Sequence, residues 1–336
     1  MLLQQSINHM IRTKKLTKKF GELTAVKSLD LKVNEGEMFG FLGPNGAGKT
    51  TTISMLSTIL KPTSGSAKIA GFDIEKQQDD VRRSIGIVFQ DPSLDDELTG
   101  YENLEFHASL YGMDRQEREA RIYELLGLVD LVEKRNDLVK HYSGGMKRRL
   151  EIARGLMHKP KVLFLDEPTL GLDPQTRRHI WKYIKKMNDE HNVTILVTTH
   201  YMEEADYLCD RVAVIDHGEI IALDTPNKLK EKMGENVIAV EVSDSKEFCK
   251  LFKKEKCTKK VKRVNGKVYL TVKDGEKLIP KIVRESEKNG IEVKSITMHQ
   301  PTLEDVFIQL TGRKIREEQA SSTDAFRKRH AAMKRR

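Results

Sequence analysis

Four short runs, MFGFL (38–42), IGIVF (85–89), VLFLD (162–166) and VTILVTT (193–199), are apolar at nearly every position rather than at alternate ones. Strands buried on both faces read this way, so these runs predict the centre of a parallel sheet. The helical stretches between them predict an α/β domain. Between the second and third runs, over 99–160, the pattern is helical with no convincing strand, which predicts a helical insertion. Within it Met146, Leu150, Ala153 and Met157 fall on one stripe, the apolar face of a helix packed on a core.

After Val237 the pattern changes. VIAVEV, SKEFCKLFKK, KKVKRV-NG-KVYLTV, GEKLIPKIVRESEKNG and IEVKSITM read as strand, helix, hairpin, helix and strand, with Asn265 and Gly266 at the hairpin turn. This is the split βαβ order, so a small α+β ferredoxin-like domain is expected over 237–312. The larger domain is expected over 12–233, and TPNKLKEKMGEN (225–236) reads as the linker. No internal repeat is visible.

Composition narrows the class. At 336 residues, two domains are the expectation. No apolar run approaches the ~18 residues that span a bilayer, which excludes a membrane-embedded chain. MLLQQSINHMIR lacks the apolar stretch of about 7–15 residues found in a secretory leader, so a cytoplasmic location is expected. Cys209, Cys249 and Cys257 have no C-x-x-C spacing and read as isolated, reduced thiols. The net charge of +9 invites a nucleic-acid reading, but nine Lys/Arg against three Asp/Glu after Gly312 place +6 of it in the last residues and leave +3 elsewhere. Residues 313–336 therefore read as a solvated, disordered basic tail. Attraction to an anionic membrane surface ranks second and nucleic acid below it.

The chemistry begins at GPNGAGKTT, which follows the strand MFGFL and leads into a helical pattern. In that context Gly43, Pro44, Asn45, Gly46, Ala47, Gly48, Lys49, Thr50 and Thr51 form a phosphate loop. Its backbone N–H groups face phosphates, Lys49 reaches the β and γ oxygens, and the Thr50 hydroxyl ligates Mg²⁺. VLFLDEP sets two carboxylates at a buried strand end. Asp166 is suited to hold Mg²⁺ through its water shell, and Glu167 to polarise an attacking water. Ser143, Gly144 and Gly145 open the helix at 142–156 with a hydroxyl and bare backbone, a ready anion site.

Taken together, these segments resemble the ATP-binding subunit of an ABC transporter. The resemblance covers roughly 16–224. GPNGAGKT matches the family's phosphate loop, Gln90 its Q-loop, YSGGM its signature, VLFLDEP its Walker B segment, Gly171-Leu172-Asp173 its D-loop and His200 its switch histidine, all in the family's order. It implies a P-loop NTPase fold with a helical subdomain, and a site that binds ATP and Mg²⁺. It also implies that Glu167, His200 and Gln90 take part in catalysis, with Thr50, Gln90 and Asp166 at the metal. Phe20 lies where the family stacks adenine, and His200 where it senses the γ-phosphate. Tyr142 and Met146 depart from the commoner LSGGQ signature. That form, with PTLEDVFIQLTGR, is similar to the daunorubicin-type drug-resistance branch of exporter ATPases.

The resemblance further implies a separate membrane-spanning permease, a second cassette in a homodimer with ATP held between the two, and a peripheral place on the cytoplasmic face of the cell membrane. No nucleic acid is expected. Chromosome and repair relatives carry long coiled-coil or zinc insertions, and translation-factor relatives usually hold two cassettes; this sequence has neither. A GTPase needs N-K-x-D, and Asn227-Lys228-Leu229-Lys230 lacks the acid.

Overall fold

The computed structural model describes residues 9–312 apart from 92, 235, 254, 256, 257, 265, 273 and 274. The basic tail, residues 1–8 of the N-terminal segment, Cys257 and Asn265 lie outside the described residues. The chain divides into two compact units, Met1–Ile220 and Ile221–Arg336.

In chain order the first unit begins with β1 (His9–Phe20), β2 (Leu23–Asn34), β3 (Met38–Leu42), α1 (Lys49–Leu56), β4 (Ser64–Ile69), β5 (Phe72–Asp73), α2 (Gln78–Ser84) and β6 (Ile85–Val88). It continues with α3 (Gly100–Leu110), α4 (Arg115–Leu128), α5 (Gly144–Gly155), β7 (Val162–Asp166), α6 (Pro174–His191), β8 (Thr194–Thr199), α7 (Met202–Leu208) and β9 (Arg211–Asp216), and β10 (Glu219–Asp224) runs across the boundary between the two units. A six-stranded sheet runs in the order β10-β9-β3-β8-β7-β6. The four continuous apolar runs are four of its strands, and the pairs β3–β8, β8–β7, β7–β6 and β3–β9 are parallel. Every residue of β3, β7 and β8 is buried, as expected of strands covered on both faces. Sheets of this kind take ligands in the crevice beyond the carboxyl ends of their strands. The loop after β3 with the start of α1 carries 43–51, and the loops after β7 and β8 carry 167–173 and His200.

A second sheet, β2-β1-β4-β5, is antiparallel and is absent from the sequence reading. In β2, Val26, Leu29, Leu31 and Val33 are buried while Lys27, Asp30 and Lys32 point to solvent, so only one face of this sheet supplies core. The insertion at 99–160 folds as α3, α4 and α5 with two short 3₁₀ turns, joined by one isolated bridge between Thr99 and Leu138. Thr99 caps α3 in a reciprocal box with Glu102, and Asp114 caps α4.

The second unit contains α8 (Pro226–Glu231), β11 (Asn236–Val242), α9 (Ser245–Lys253), β12 (Thr258–Val264), β13 (Lys267–Val272), α10 (Gly275–Lys288), β14 (Val293–His299) and α11 (Leu303–Thr311). Its antiparallel sheet, β12-β13-β11-β14, has the strand order of the ferredoxin-like fold. The segment expected to be a linker is instead partly helical. Thr225 caps α8 by accepting from the Lys228 N–H, and Leu229 and Met233 are buried. The apolar faces of α9 and α10 close the core around Phe248, Phe252, Leu278 and Ile282. Truncating the fully buried Phe248 to Ala should cost about 3–5 kcal/mol and lower the melting midpoint of this unit, read by calorimetry on the full chain.

Candidate nucleotide site

The phosphate loop leaves β3 and enters α1 at Gly48. Gly48 has φ 100° and no side-chain cap, and a Cβ there would lie 2.4 Å from the Ala25 carbonyl oxygen. Only glycine takes this backbone against that neighbour. The N–H groups opening α1 are therefore left for an external anion. The Lys49 ammonium is buried; it donates to the Gly43 carbonyl at 2.7 Å and the Pro44 carbonyl at 3.2 Å. Its third neighbour is Glu167 Oε1, an ion pair at 3.1 Å that lacks hydrogen-bond alignment.

Glu167 ends the β7 segment with φ 49°, a left-handed backbone that costs a non-glycine residue on the order of 1–3 kcal/mol. Its N–H donates to both the carbonyl and the hydroxyl of Thr198, while Oε2 meets His200 Nδ1 at 2.7 Å. Burial raises the Glu167 carboxyl pKa, but the His200 hydrogen bond and the Lys49 charge outweigh it and hold the carboxyl below its ordinary value. Asp166 is moved the other way. Burial is the largest cause, the Thr198 and Thr50 hydroxyls oppose it, and the Glu167 carboxylate adds to the rise. Thr50 Oγ1 donates to Asp166 Oδ1 at 3.2 Å, and the Thr198 hydroxyl donates to the same oxygen.

A hydroxyl and a buried carboxylate thus converge beside the phosphate loop. These are hard oxygen donors, and a carboxyl pushed up by burial is a group that a cation would satisfy. The set fits Mg²⁺, which takes one or two protein oxygens with the rest from phosphate and water.

Gln90 is exposed just past β6 and takes no part in these hydrogen bonds. Phe20 ends β1 half exposed, with the Lys18 ammonium 5.2 Å from its ring centre. Ser143 caps α5 by accepting from the Met146 N–H at 3.3 Å, and both Ser143 and Gly144 are exposed. Gly145 has a packing role besides, since a Cβ there would lie 2.6 Å from Thr176 Cγ2. Tyr142, the departure from LSGGQ, donates its buried hydroxyl to the Lys134 carbonyl at 2.6 Å. Asp173 caps α6, accepting from the Gln175 and Thr176 N–H groups at 3.0 Å.

Residues 26–170 match the ABC transporter family model, and 225–311 match the model described as the ATP-binding protein DrrA1-3-like, C-terminal domain. The linearmycin resistance ATP-binding protein LnrL of Bacillus subtilis is 38% identical over 317 residues, 92% of this chain and 100% of that protein. The daunorubicin/doxorubicin resistance ATP-binding protein DrrA of Streptomyces peucetius is 40% identical over 306 residues, 90% and 92% of the two chains. The chain belongs to the ABC transporter ATP-binding proteins. It is an ATPase cassette. Among solved structures, CbiO1 of Clostridium perfringens, part of the ABC transporter complex CbiONQ, superposes with TM-score 0.63 at 29% identity, over 74% of this chain and 96% of that one. The cassette MJ0796, a dimer bound to ADP and Pi, gives 0.58 at 33% identity over 64% and 98%.

Three buried residues of the cassette's site carry no sequence signal of their own. Thr198 looks like any strand residue, yet it links Asp166 and Glu167. Glu204 in α7 is fully buried and accepts on Oε1 from Thr169 Oγ1 and from Trp181 Nε1, both at 2.8 Å; burial raises its carboxyl above the ordinary range. Arg148 lies in a KRR run that reads as a solvated helix face, but it is buried and donates to the backbone carbonyls of Asp166 and Glu167.

Proposed function

We propose that this cassette drives export through a separate membrane-spanning permease, bound peripherally at the cytoplasmic face of the membrane, with Mg²⁺·ATP held between two copies of the chain. Among the described residues no helix is long and apolar enough to cross a membrane, so a transport path needs another subunit. The names of LnrL and DrrA speak of resistance to linearmycin and to daunorubicin and doxorubicin, which supports the outward direction. One observation carries the reading: the buried Lys49, Asp166, Glu167 and His200 converge at the carboxyl ends of β3, β7 and β8, with the exposed Thr50 hydroxyl bonded to Asp166 at their edge.

The chemistry follows from that cluster. The Lys49 ammonium exchanges Glu167 for the β and γ oxygens of ATP, which frees the carboxylate to face the attacking water. Thr50 and Asp166, with Gln90 drawn in, would hold Mg²⁺, whose charge offsets that developing on the phosphates. His200, bonded to Glu167 in the free protein, becomes a donor towards the γ-phosphate, and Phe20 offers an exposed ring to the adenine.

The phosphate loop already surrounds its own nucleotide, so the exposed start of α5 at Ser143, Gly144 and Gly145 serves the γ-phosphate of the opposite copy. Asp173 beside it closes the same interface. A two-fold dimer provides this geometry twice. Mixing Ser143→Arg protein with Lys49→Ala protein, each inactive alone, should restore partial hydrolysis. Each mixed dimer keeps one site where intact Lys49 faces intact Ser143. Mixed dimers that form and stay inactive, while hybrids of wild-type and mutant chains hydrolyse ATP, would refute the shared site.

A further inference from the structure

Arg148 sits in the second turn of α5, five residues past Ser143, and its guanidinium is buried with all five N–H donors occupied. Nε donates to the Pro168 carbonyl at 2.6 Å, and Nη2 to the carbonyls of Asp166 and Glu167, each at 3.1 Å. Nη1 reaches the Phe89 carbonyl at 2.6 Å and Glu151 Oε2 at 2.9 Å. The other carboxylate oxygen of Glu151 accepts the Ser93 N–H at 2.7 Å. One buried ion pair therefore grips three consecutive peptides around Glu167 and, on either side of Gln90, the peptides of Phe89 and Ser93.

We propose that Arg148, oriented by Glu151, is a positioning residue for ATP hydrolysis, fixing the backbone that aims Glu167 and Gln90 and tying it to the helix that opens with the signature. The inference rests on Glu167 as the group that polarises water. The pattern of contacts separates it from an ordinary buried pair. Three of its five acceptors are the carbonyls of Asp166, Glu167 and the adjoining Pro168, and a fourth is that of Phe89, which precedes Gln90. Glu167 holds a left-handed backbone, and the guanidinium binds its carbonyl and those of both neighbours, three successive carbonyls that lead from the end of β7 through this turn. A shift of α5 when the signature meets a phosphate is carried directly to the carboxylate. Lysine keeps the charge but has three donors on one nitrogen in place of five on a planar fork, so it cannot satisfy four peptide carbonyls and Glu151 together.

The test is steady-state ATP hydrolysis and ATP affinity of the full-length chain as R148K and E151Q, with E167Q in parallel. Small misplacement of a reacting group costs about 10- to 100-fold in rate, so R148K should lose that much kcat while its Kd for ATP stays within about threefold of wild type. E151Q keeps the shape and the Ser93 acceptor but removes the charge that orients Arg148, and should lose about three- to tenfold in kcat alone. A wild-type kcat in R148K, or a loss of ATP affinity as large as the loss of kcat, overturns the positioning role. If R148K does not fold, E151Q decides: kcat within twofold of wild type overturns it. Full turnover in E167Q would instead remove Glu167 from catalysis, a failure of the reading beneath the inference, and it is read independently of Arg148.

Discussion

Glu167→Gln protein should bind ATP and scarcely hydrolyse it. The amide fills the same volume and can still meet His200, now 2.7 Å from Oε2, but it cannot polarise water as a carboxylate does. Loss of one positioned acid/base group costs on the order of 10²- to 10⁴-fold in turnover. The free protein adds a second effect, because Glu167 is the anion that occupies Lys49 at 3.1 Å before nucleotide arrives. Neutralising it removes that competitor, so ATP affinity should hold or rise, and an ATP-bound dimer should accumulate on size exclusion. Steady-state hydrolysis within threefold of wild type would remove Glu167 from the mechanism.

Lys49→Ala should fail one step earlier, at binding. Lys49 supplies the one ammonium in the cluster, aimed by the Gly43 and Pro44 carbonyls. Charged hydrogen bonds contribute about 1.5–3 kcal/mol, so ATP affinity should fall roughly 10- to 100-fold, with hydrolysis lost. Titration calorimetry checks it. An affinity equal to that of wild type would show that the ammonium does not reach the nucleotide. Together the two variants split binding from chemistry, since one keeps ATP without turnover and the other loses ATP itself.

The parts of the fold with a one-dimensional signature were legible from sequence. β3, β6, β7 and β8 are apolar at nearly every position because both faces are covered, and the phosphate loop and carboxylates are contiguous in the chain. In the second unit, alternation and the Gly266 turn mark the hairpin between β12 and β13. The sheet built on β1 and β2 was not legible. HMIRTKKLTKKF buries only a few positions, and four register shifts against β2 break its alternation, so its lysines read as surface without a strand. The 225–236 segment has the composition of a linker, and only the Thr225 cap and the burial of Leu229 reveal its helix. Thr198, Arg148 and Glu204 were invisible for another reason. Apart from Glu151, three residues along from Arg148, their partners lie 18 to 59 residues away, and a buried arginine inside a basic run has the same letters as an exposed one.

The cassette has a single tryptophan, and its position gives the protein a built-in optical reporter. The Trp181 indole shares the Glu204 carboxyl oxygen with Thr169, which lies two residues beyond Glu167 on the loop that leads to Asp173, and it stacks on Tyr207 at 5.5 Å. Excited at the red edge, where tyrosine does not absorb, the chain emits from this one place. A displacement of that loop on ATP binding should alter the acid group at the indole, so emission of the unlabelled protein should change on titration with ATP, and an unchanged spectrum would show that the loop keeps its place.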